Sequence, residues 1–399
     1  SVAWFLQEHG YEVTVYDSRG VAAGASAGNA GWICPGMTAP LPEPGVLSYA
    51  LRSLARRDSP LRVTPAALPV TARFLAAFAV NCTAARWQRG VADLAGICGL
   101  ALSSYELLTR GGVVGEPSAA PVVMAFSDPA EAAAVEHELR AIGDAAQART
   151  VTELGPDELR SQYPVLSARA RHGLRLDGQG YLQPFDYTRS LARSVLARGG
   201  QFKVGDRGGH VDRVEPAGAG KLAVVSSGTE AEFDVAVLAN GAWLRRLGRS
   251  AGVRIPLAAG RGYSFTVKSA AMIDGPLYLP SLRVACTPVP AGMRMAGTME
   301  FRSPGAPVDR HRVEAIIRSA KDYLDGVDWA SVSDVWVGPR PVTADGLPLI
   351  GATRRAGIYV AGGHGMWGMT LGPATGRLLA EFIATGRMPH ELRPFDPCR

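Results

Sequence analysis

The sequence predicts an α/β (α+β) protein of two units: a discontinuous Rossmann-like domain, and a domain built on an antiparallel sheet with a helical insertion. Three stretches predict it. SVAWFLQEHG spaces Val2, Ala3 and Leu6 along one helical face and stops at Gly10, and YEVTVYD then alternates as a strand ending on Asp17. Residues 232–243, EFDVAVLANGAW, form a near-continuous apolar run into Asn240 and Gly241, the pattern of a buried parallel strand that ends at a ligand crevice. IPLAAGRGYSFTV, LRVACTPV and GMRMAGTMEF alternate with turn signals between them, as antiparallel strands do.

The first stretch carries chemistry. A helix, a glycine, a strand and a terminal carboxylate form the second half of a dinucleotide-binding βαβ unit, with Asp17 placed for a ribose hydroxyl pair and Ser18 and Arg19 beside it. The first half, a strand followed by G-x-G-x-x-G, is expected just before Ser1. The chain also begins without methionine, so it is expected to be cut inside its own cofactor motif. Three charge-assisted bonds from such a loop would contribute roughly 1.5–3 kcal/mol each, so a chain starting at Ser1 is expected to hold its cofactor weakly or to misfold. The alternative reading is an ordinary amphipathic helix followed by a strand.

Two loops are candidates for the cofactor phosphates. VAAGASAGNAGWICPG follows Asp17 and is rich in small residues suited to close backbone approach, with Ser26, Asn29, Ala30 and Gly31 as contacts; a turn-rich connector is the alternative. The second is the loop at Asn240, Gly241 and Trp243, joined by Val211 on the HVDRVEP strand.

The most informative stretch is 336–383. It reads as an arginine-bearing loop, a turn, the apolar strand IYVAGG, a glycine-rich loop and a helix beginning near Pro373. Backbone N–H groups and a helix N-terminus then lie beside a fixed cation. That set suits a flavin enzyme oxidising amino acids, because reduced flavin carries negative charge and the substrate a carboxylate. Gly363, Gly365 and Gly368 spell G-x-G-x-x-G, but no second strand with an acidic residue follows, as a dinucleotide fingerprint requires. Gly363, His364, Gly365, Met366, Gly368, Met369 and Thr370 are therefore read as contacts to the flavin ring.

Composition narrows the classes. The net charge of +6 comes from scattered arginines with no basic block, which leaves no nucleic-acid footprint. No uninterrupted apolar run reaches the roughly 18 residues of a membrane span. The five cysteines form no CxxC and cannot all pair, so unpaired thiols and a cytoplasmic location are expected. From about Val46 to Arg110 the pattern is helical, broken at prolines 60, 65 and 69, and studded by Arg52, Arg56, Arg57, Arg62, Arg73, Arg86 and Arg89. These read as a solvated helix face, with a peripheral contact to anionic lipid on the inner face of the plasma membrane as the alternative.

NAG at 29–31 with PG at 35–36, NCTAAR at 81–86, GYLQP at 180–184, RGYSFTV at 261–267, TPVPAGMRMAGTMEF at 287–301, WVGPRPVTADGLPLIG at 336–351 and GHGMWGMTLGPATG at 363–376 resemble the glycine/D-amino-acid oxidase superfamily of FAD enzymes, and within it the bacterial D-amino-acid dehydrogenases. The resemblance covers nearly the whole chain, and NCTAAR and the last two motifs are its specific parts. It implies an FAD-binding domain of the glutathione-reductase type from 1–45, 170–250 and 335–399, and a substrate domain from 46–169 and 251–334. It implies that Arg340 holds the substrate carboxylate, with Tyr263 facing the substrate or lying in the core, and His364 serving as a base or, more simply, as a flavin or backbone partner. Sarcosine-oxidising relatives link flavin through a cysteine that 331–351 lacks, so FAD is expected to be non-covalent. Glycine-oxidising relatives carry a second arginine where Met366 or Trp367 stands, so apolar D-amino acids are expected over glycine. The implied reaction is oxidative deamination of a D-amino acid to a 2-oxo acid and ammonia by hydride transfer to flavin, with electrons passed to a quinone or another acceptor. The alternatives are oxidation of D-hydroxyproline, glycine or sarcosine, or a non-catalytic remnant without the phosphate loop.

Overall fold

The computed structural model describes residues 1–46, 59–63, 68–146, 150–205, 208–290 and 292–399. A large mixed sheet forms one half. Its strands lie in the order Val327–Thr343, Leu257–Ser269, Gly292–Phe301, Val284–Val289, Leu277–Leu279, Val122–Phe126, His172–Leu176 and Val151–Leu154, and Leu61–Val63 pairs with Gly292–Phe301. One face is sealed by the helix Arg310–Ala320, whose Val313 and Ile316 join Tyr263, Phe265 and Val267 in a buried cluster. Burying such branched and aromatic side chains stabilises by about 1.5–3 kcal/mol each, which fixes this face as the core and turns the other toward the second half.

The other half is assembled from distant pieces. Thr14–Asp17 pairs in parallel with Gln201–Val204, and Ala236–Leu238 pairs in parallel with Ile358–Gly362. The N-terminal helix Val2–Glu8 packs on the helix Gly368–Thr385; Ser1 Oγ donates to Gly372 O at 2.9 Å, and a Cβ on Gly376 would lie 2.8 Å from Ser1. Trp4, Phe5 and Leu6, rather than Val2 and Ala3, supply the most buried face of the first helix.

Several elements depart from the sequence reading. EFDVAVLANGAW is two strands, not one. Thr229–Phe233 closes an antiparallel three-stranded meander, the chain breaks at Asp234 and Val235, and only Ala236–Leu238 enters the parallel pairing. His172–Leu176, allotted by the sequence to the cofactor half, lies in the large sheet between Val122–Phe126 and Val151–Leu154, because alternation specifies a strand and not its partner. In the helical insertion, Leu61–Val63 is a strand and Leu68–Asn81, Ala84–Gly99 and Ala101–Arg110 are helices. Arg52, Arg56, Arg57 and Pro65 lie outside the described residues, while Arg73, Arg86 and Arg89 are exposed, as a solvated face requires. Ala84–Arg110 is long and apolar enough to cross a membrane by length and composition, yet its Leu94, Ile97, Tyr105 and Leu108 are buried in the protein core. None of the five cysteines forms a disulfide bond among the described residues.

Candidate active site

A single continuous cavity of 2140 Å³ runs between the two halves. Small-molecule sites usually measure roughly 300–1,000 Å³, so this one has room for a large cofactor and a substrate together. At one end it follows Thr14–Asp17 and Ala236–Leu238, each hydrogen-bonded, among the described residues, to a neighbouring strand on one side only.

At that end Asp17 terminates its strand, where Oδ1 accepts from the N–H groups of Arg19 (2.8 Å) and Gly20 (2.9 Å). Among the described residues Oδ2 has no such bond, so one oxygen shapes the turn while the other is available to a hydroxyl. Arg19 lies over the Trp243 ring at 4.8 Å, a cation–π contact that sets a flat edge beside it. Ser18 and Val211 line the same region. Asn240 donates from Nδ2 to Trp243 O at 3.1 Å, while its Oδ1 is buried and has no partner among the described residues. A buried acceptor without a donor costs free energy that a bound ligand hydroxyl or N–H relieves.

The loop through Ser26, Asn29, Ala30 and Gly31 forms the next wall. Asn29 braces it, accepting from Gly31 N at 2.7 Å and donating to Ala25 O at 3.0 Å. Gly31 has φ +73° and a Cβ there would lie 2.0 Å from Leu182 O, so both conformation and space demand glycine. Side chains of the large sheet grip the loop from below: Ser264 Oγ donates to Gly28 O at 2.5 Å, Arg294 Nη1 to the same oxygen at 3.1 Å, and Thr287 Oγ1 to Ala30 O at 2.8 Å.

Beyond the loop, the cavity reaches Arg340 on the strand Val327–Thr343, a strand where the sequence suggested a loop. Pairing places Arg340 opposite Gly260, and its guanidinium spreads over Gly262, where a Cβ would come within 2.1 Å of Nη1. Nη1 donates to Thr298 O at 3.2 Å. No carboxylate pairs with it among the described residues, and burial lowers its pKa from 12.5 to about 10. A desolvated cation held over a glycine and facing a cavity is arranged to receive an anion, and the guanidinium fork matches a carboxylate.

The glycine-rich loop closes the opposite wall with His364, Gly365, Met366, Gly368 and Met369. Gly365 N donates to Pro341 O at 3.0 Å and Trp367 Nε1 to Ala39 O at 2.7 Å, tying the loop to its neighbours. His364 Nε2 is 2.9 Å from Thr375 Oγ1, and burial lowers its pKa from 6.5 to about 4, so the ring is neutral. The helix starts at Gly368, one and a half turns before Pro373, which is an interior residue.

Three assignments are corrected. Tyr263 borders the cavity, but its side chain belongs to the core cluster, where its hydroxyl donates to Glu300 Oε2 at 2.8 Å; burial and that bond raise its pKa to about 12. Ordinary alternation puts Arg261 and Tyr263 on the core face and leaves Gly262 beneath Arg340, while the extra residue of a β-bulge lies across from Gly262, at Thr298 and Met299 of the neighbouring strand. Gly363 does not line the cavity; its φ of +70° makes the turn, and a Cβ there would lie 2.9 Å from Thr343. Thr370 is buried beneath the site, its Oγ1 accepting from Cys34 N at 3.0 Å. Sequence reading missed Gly262, Ser264, Thr287, Arg294 and Thr298. Only the register between strands far apart in the chain brings them to the site, although the glycine in RGY is a visible sign of close approach.

These residues fit FAD. Asp17, Arg19, Asn240 and Trp243 would hold its adenosine part, the 26–31 loop its middle, and His364 to Met369 its ring system. Comparison with known proteins agrees. A D-amino acid dehydrogenase of Agrobacterium fabrum is 28% identical over 405 residues, covering 96% of this chain and 92% of that protein. One of Methylobacterium nodulans is 29% identical over 399 residues, covering 97% and 93%. The crystal structure of glycine oxidase from Geobacillus kaustophilus superposes with a TM-score of 0.73 at 19% identity, covering 100% of this chain and 95% of that one, which speaks for the fold. The profile of the DAO family, FAD dependent oxidoreductase, matches residues 1–382, and the chain belongs to that family of FAD-dependent enzymes.

Proposed function

We propose that the chain catalyses FAD-dependent oxidative deamination of D-amino acids, with Arg340 anchoring the substrate carboxylate. The buried, carboxylate-free guanidinium facing the cavity carries this reading; the D-configuration rests on the D-amino acid dehydrogenases similar over nearly the whole chain. Bound non-covalently, FAD supplies the acceptor for the hydride leaving the substrate Cα, while the amine loses a proton to solvent. The resulting imino acid takes up water and releases ammonia and a 2-oxo acid.

The protein's own part is binding and orientation. Arg340 fixes the carboxylate, and the wall of Gly365 to Met369 fixes the other ligand; fixed geometry of this kind contributes up to about 7–11 kcal/mol to catalysis. His364, neutral down to about pH 4, is too weak a base to hold an abstracted proton at neutral pH, and serves the loop through Thr375. The proposal extends to a quinone or another electron acceptor, with the exposed Arg73, Arg86 and Arg89 as the surface for a peripheral membrane contact.

The test is anaerobic reduction of the flavin, followed by absorbance, with D-alanine, D-phenylalanine, D-proline, glycine, sarcosine and the L-forms. Bleaching by D-amino acids is expected, and Arg340→Ala should weaken their binding by about 2–5 kcal/mol. An unchanged apparent KM in that variant would sink the assignment.

A further inference from the structure

The cavity continues past Arg340, away from the cofactor. Trp336, Gly338, Arg340 and Val342 follow one another on one face of their strand. At the Trp336 end the face is closed by the cofactor loop, since a Cβ on Gly28 would lie 2.7 Å from the Trp336 ring. At the other end Val342 belongs to a buried apolar cluster with Phe74, Phe78, Met299 and Phe301. Phe74 stacks between the other two rings, with centroids 5.6 Å from Phe78 and 5.3 Å from Phe301. Phe78, Met299 and Phe301, together with Leu61 and Val63, line the cavity. Gly260 leaves the room that Met299 occupies, because a Cβ there would lie 3.1 Å from its sulfur. Arg283, which also lines the cavity, is paired with Glu43 at 3.3 Å.

We propose that the substrate's side chain enters the chamber walled by Leu61, Val63, Phe78, Met299 and Phe301. The chamber then selects amino acids with large uncharged apolar side chains, of leucine to phenylalanine size, over glycine, alanine and ionised side chains. This rests on Arg340 as the carboxylate anchor. The side chains of Leu61, Val63, Phe78, Met299 and Phe301 offer only carbon and sulfur, so a charged group seated among them would lose its hydration without a partner from those five.

Unreactive carboxylates separate the two readings. Acetate, 4-methylpentanoate, 3-phenylpropanoate and glutarate are titrated into the FAD-loaded protein by calorimetry, with wild type, Val63→Trp and Arg340→Ala compared. Affinity is expected to rise from acetate to 4-methylpentanoate by about fourfold per buried methylene, the equivalent of ~0.8 kcal/mol. Val63→Trp fills the chamber, so 3-phenylpropanoate should bind at least roughly tenfold more weakly while acetate is unchanged, which also shows that the variant is folded. Equal affinity across the apolar series, or tightest binding of glutarate, overturns the chamber while a uniform loss in Arg340→Ala still upholds the anchor. Undiminished binding of all four by Arg340→Ala overturns the anchor, and the chamber's role with it.

Discussion

Two basic side chains at the site respond to burial in opposite ways. Arg340 keeps its charge although burial brings its pKa to about 10, since that is still above neutral pH. His364 loses its charge, because the same effect takes it to about 4. The imidazole is thus a neutral partner of Thr375, and its proton balance is linked to stability. The unfolded chain takes up a proton on this ring near pH 6.5, whereas the native protein does so only near pH 4. The native state is favoured fully above pH 6.5, and that advantage is lost as pH falls through about 4. Thermal unfolding followed between pH 7.5 and 4 should show a falling Tm. In His364→Gln, which retains a donor and acceptor for Thr375, the decline should be shallower. Equal slopes in the two proteins would mean that other groups carry the acid sensitivity.

At the scale of elements, the helix Gly368–Thr385 shows why the sequence was legible in kind and not in boundary. Its strand, glycine-rich loop and helix were readable in that order from 336–383, and so was the cation before them. Proline is common at the first position of a helix, so Pro373 looked like its start. The structure tolerates it as the sixth residue. A proline has no N–H to give to the carbonyl four residues earlier, here Met369, and Tyr105 Oη donates to that oxygen instead at 2.7 Å. The compensating hydroxyl is 264 residues away in sequence, where no local pattern could announce it. Tyr105→Phe should destabilise by about 1–3 kcal/mol by leaving the carbonyl unpaired. In a Pro373→Ala background the helix supplies its own N–H, and the cost of Tyr105→Phe should largely vanish. Denaturant unfolding of the four proteins closes that cycle, and an unchanged cost would show that the hydroxyl does not substitute for the missing amide.

For the whole molecule, the same contrast separates what the chain announces from what its assembly adds. Asp17, the 26–31 loop, Asn240 and Arg340 carry local signals, and all of them line one cavity. Gly262 and the hydrogen bonds beneath the loop arise from register and from packing of the two halves, and alternation left Tyr263 open to either face until packing of the helix Arg310–Ala320 made its side the core. Thr287 is the clearest case of such assembly. It belongs to the large sheet, yet its hydroxyl accepts from Trp32 Nε1 at 2.8 Å and donates to Ala30 O at 2.8 Å. One buried side chain thereby locks the loop that lines the cavity to the sheet that carries Arg340. Thr287→Val keeps the shape and removes both bonds, at a cost of roughly 1–3 kcal/mol for each partner left unmade. Because the lost bonds hold the loop, FAD should leave the variant faster as well as the protein melting at lower temperature. Flavin fluorescence released on dilution measures the first and calorimetry the second. A lower Tm with unchanged FAD release would show that the sheet supports the fold without tuning the cofactor loop; a change in both would show that substrate and cofactor walls move as one.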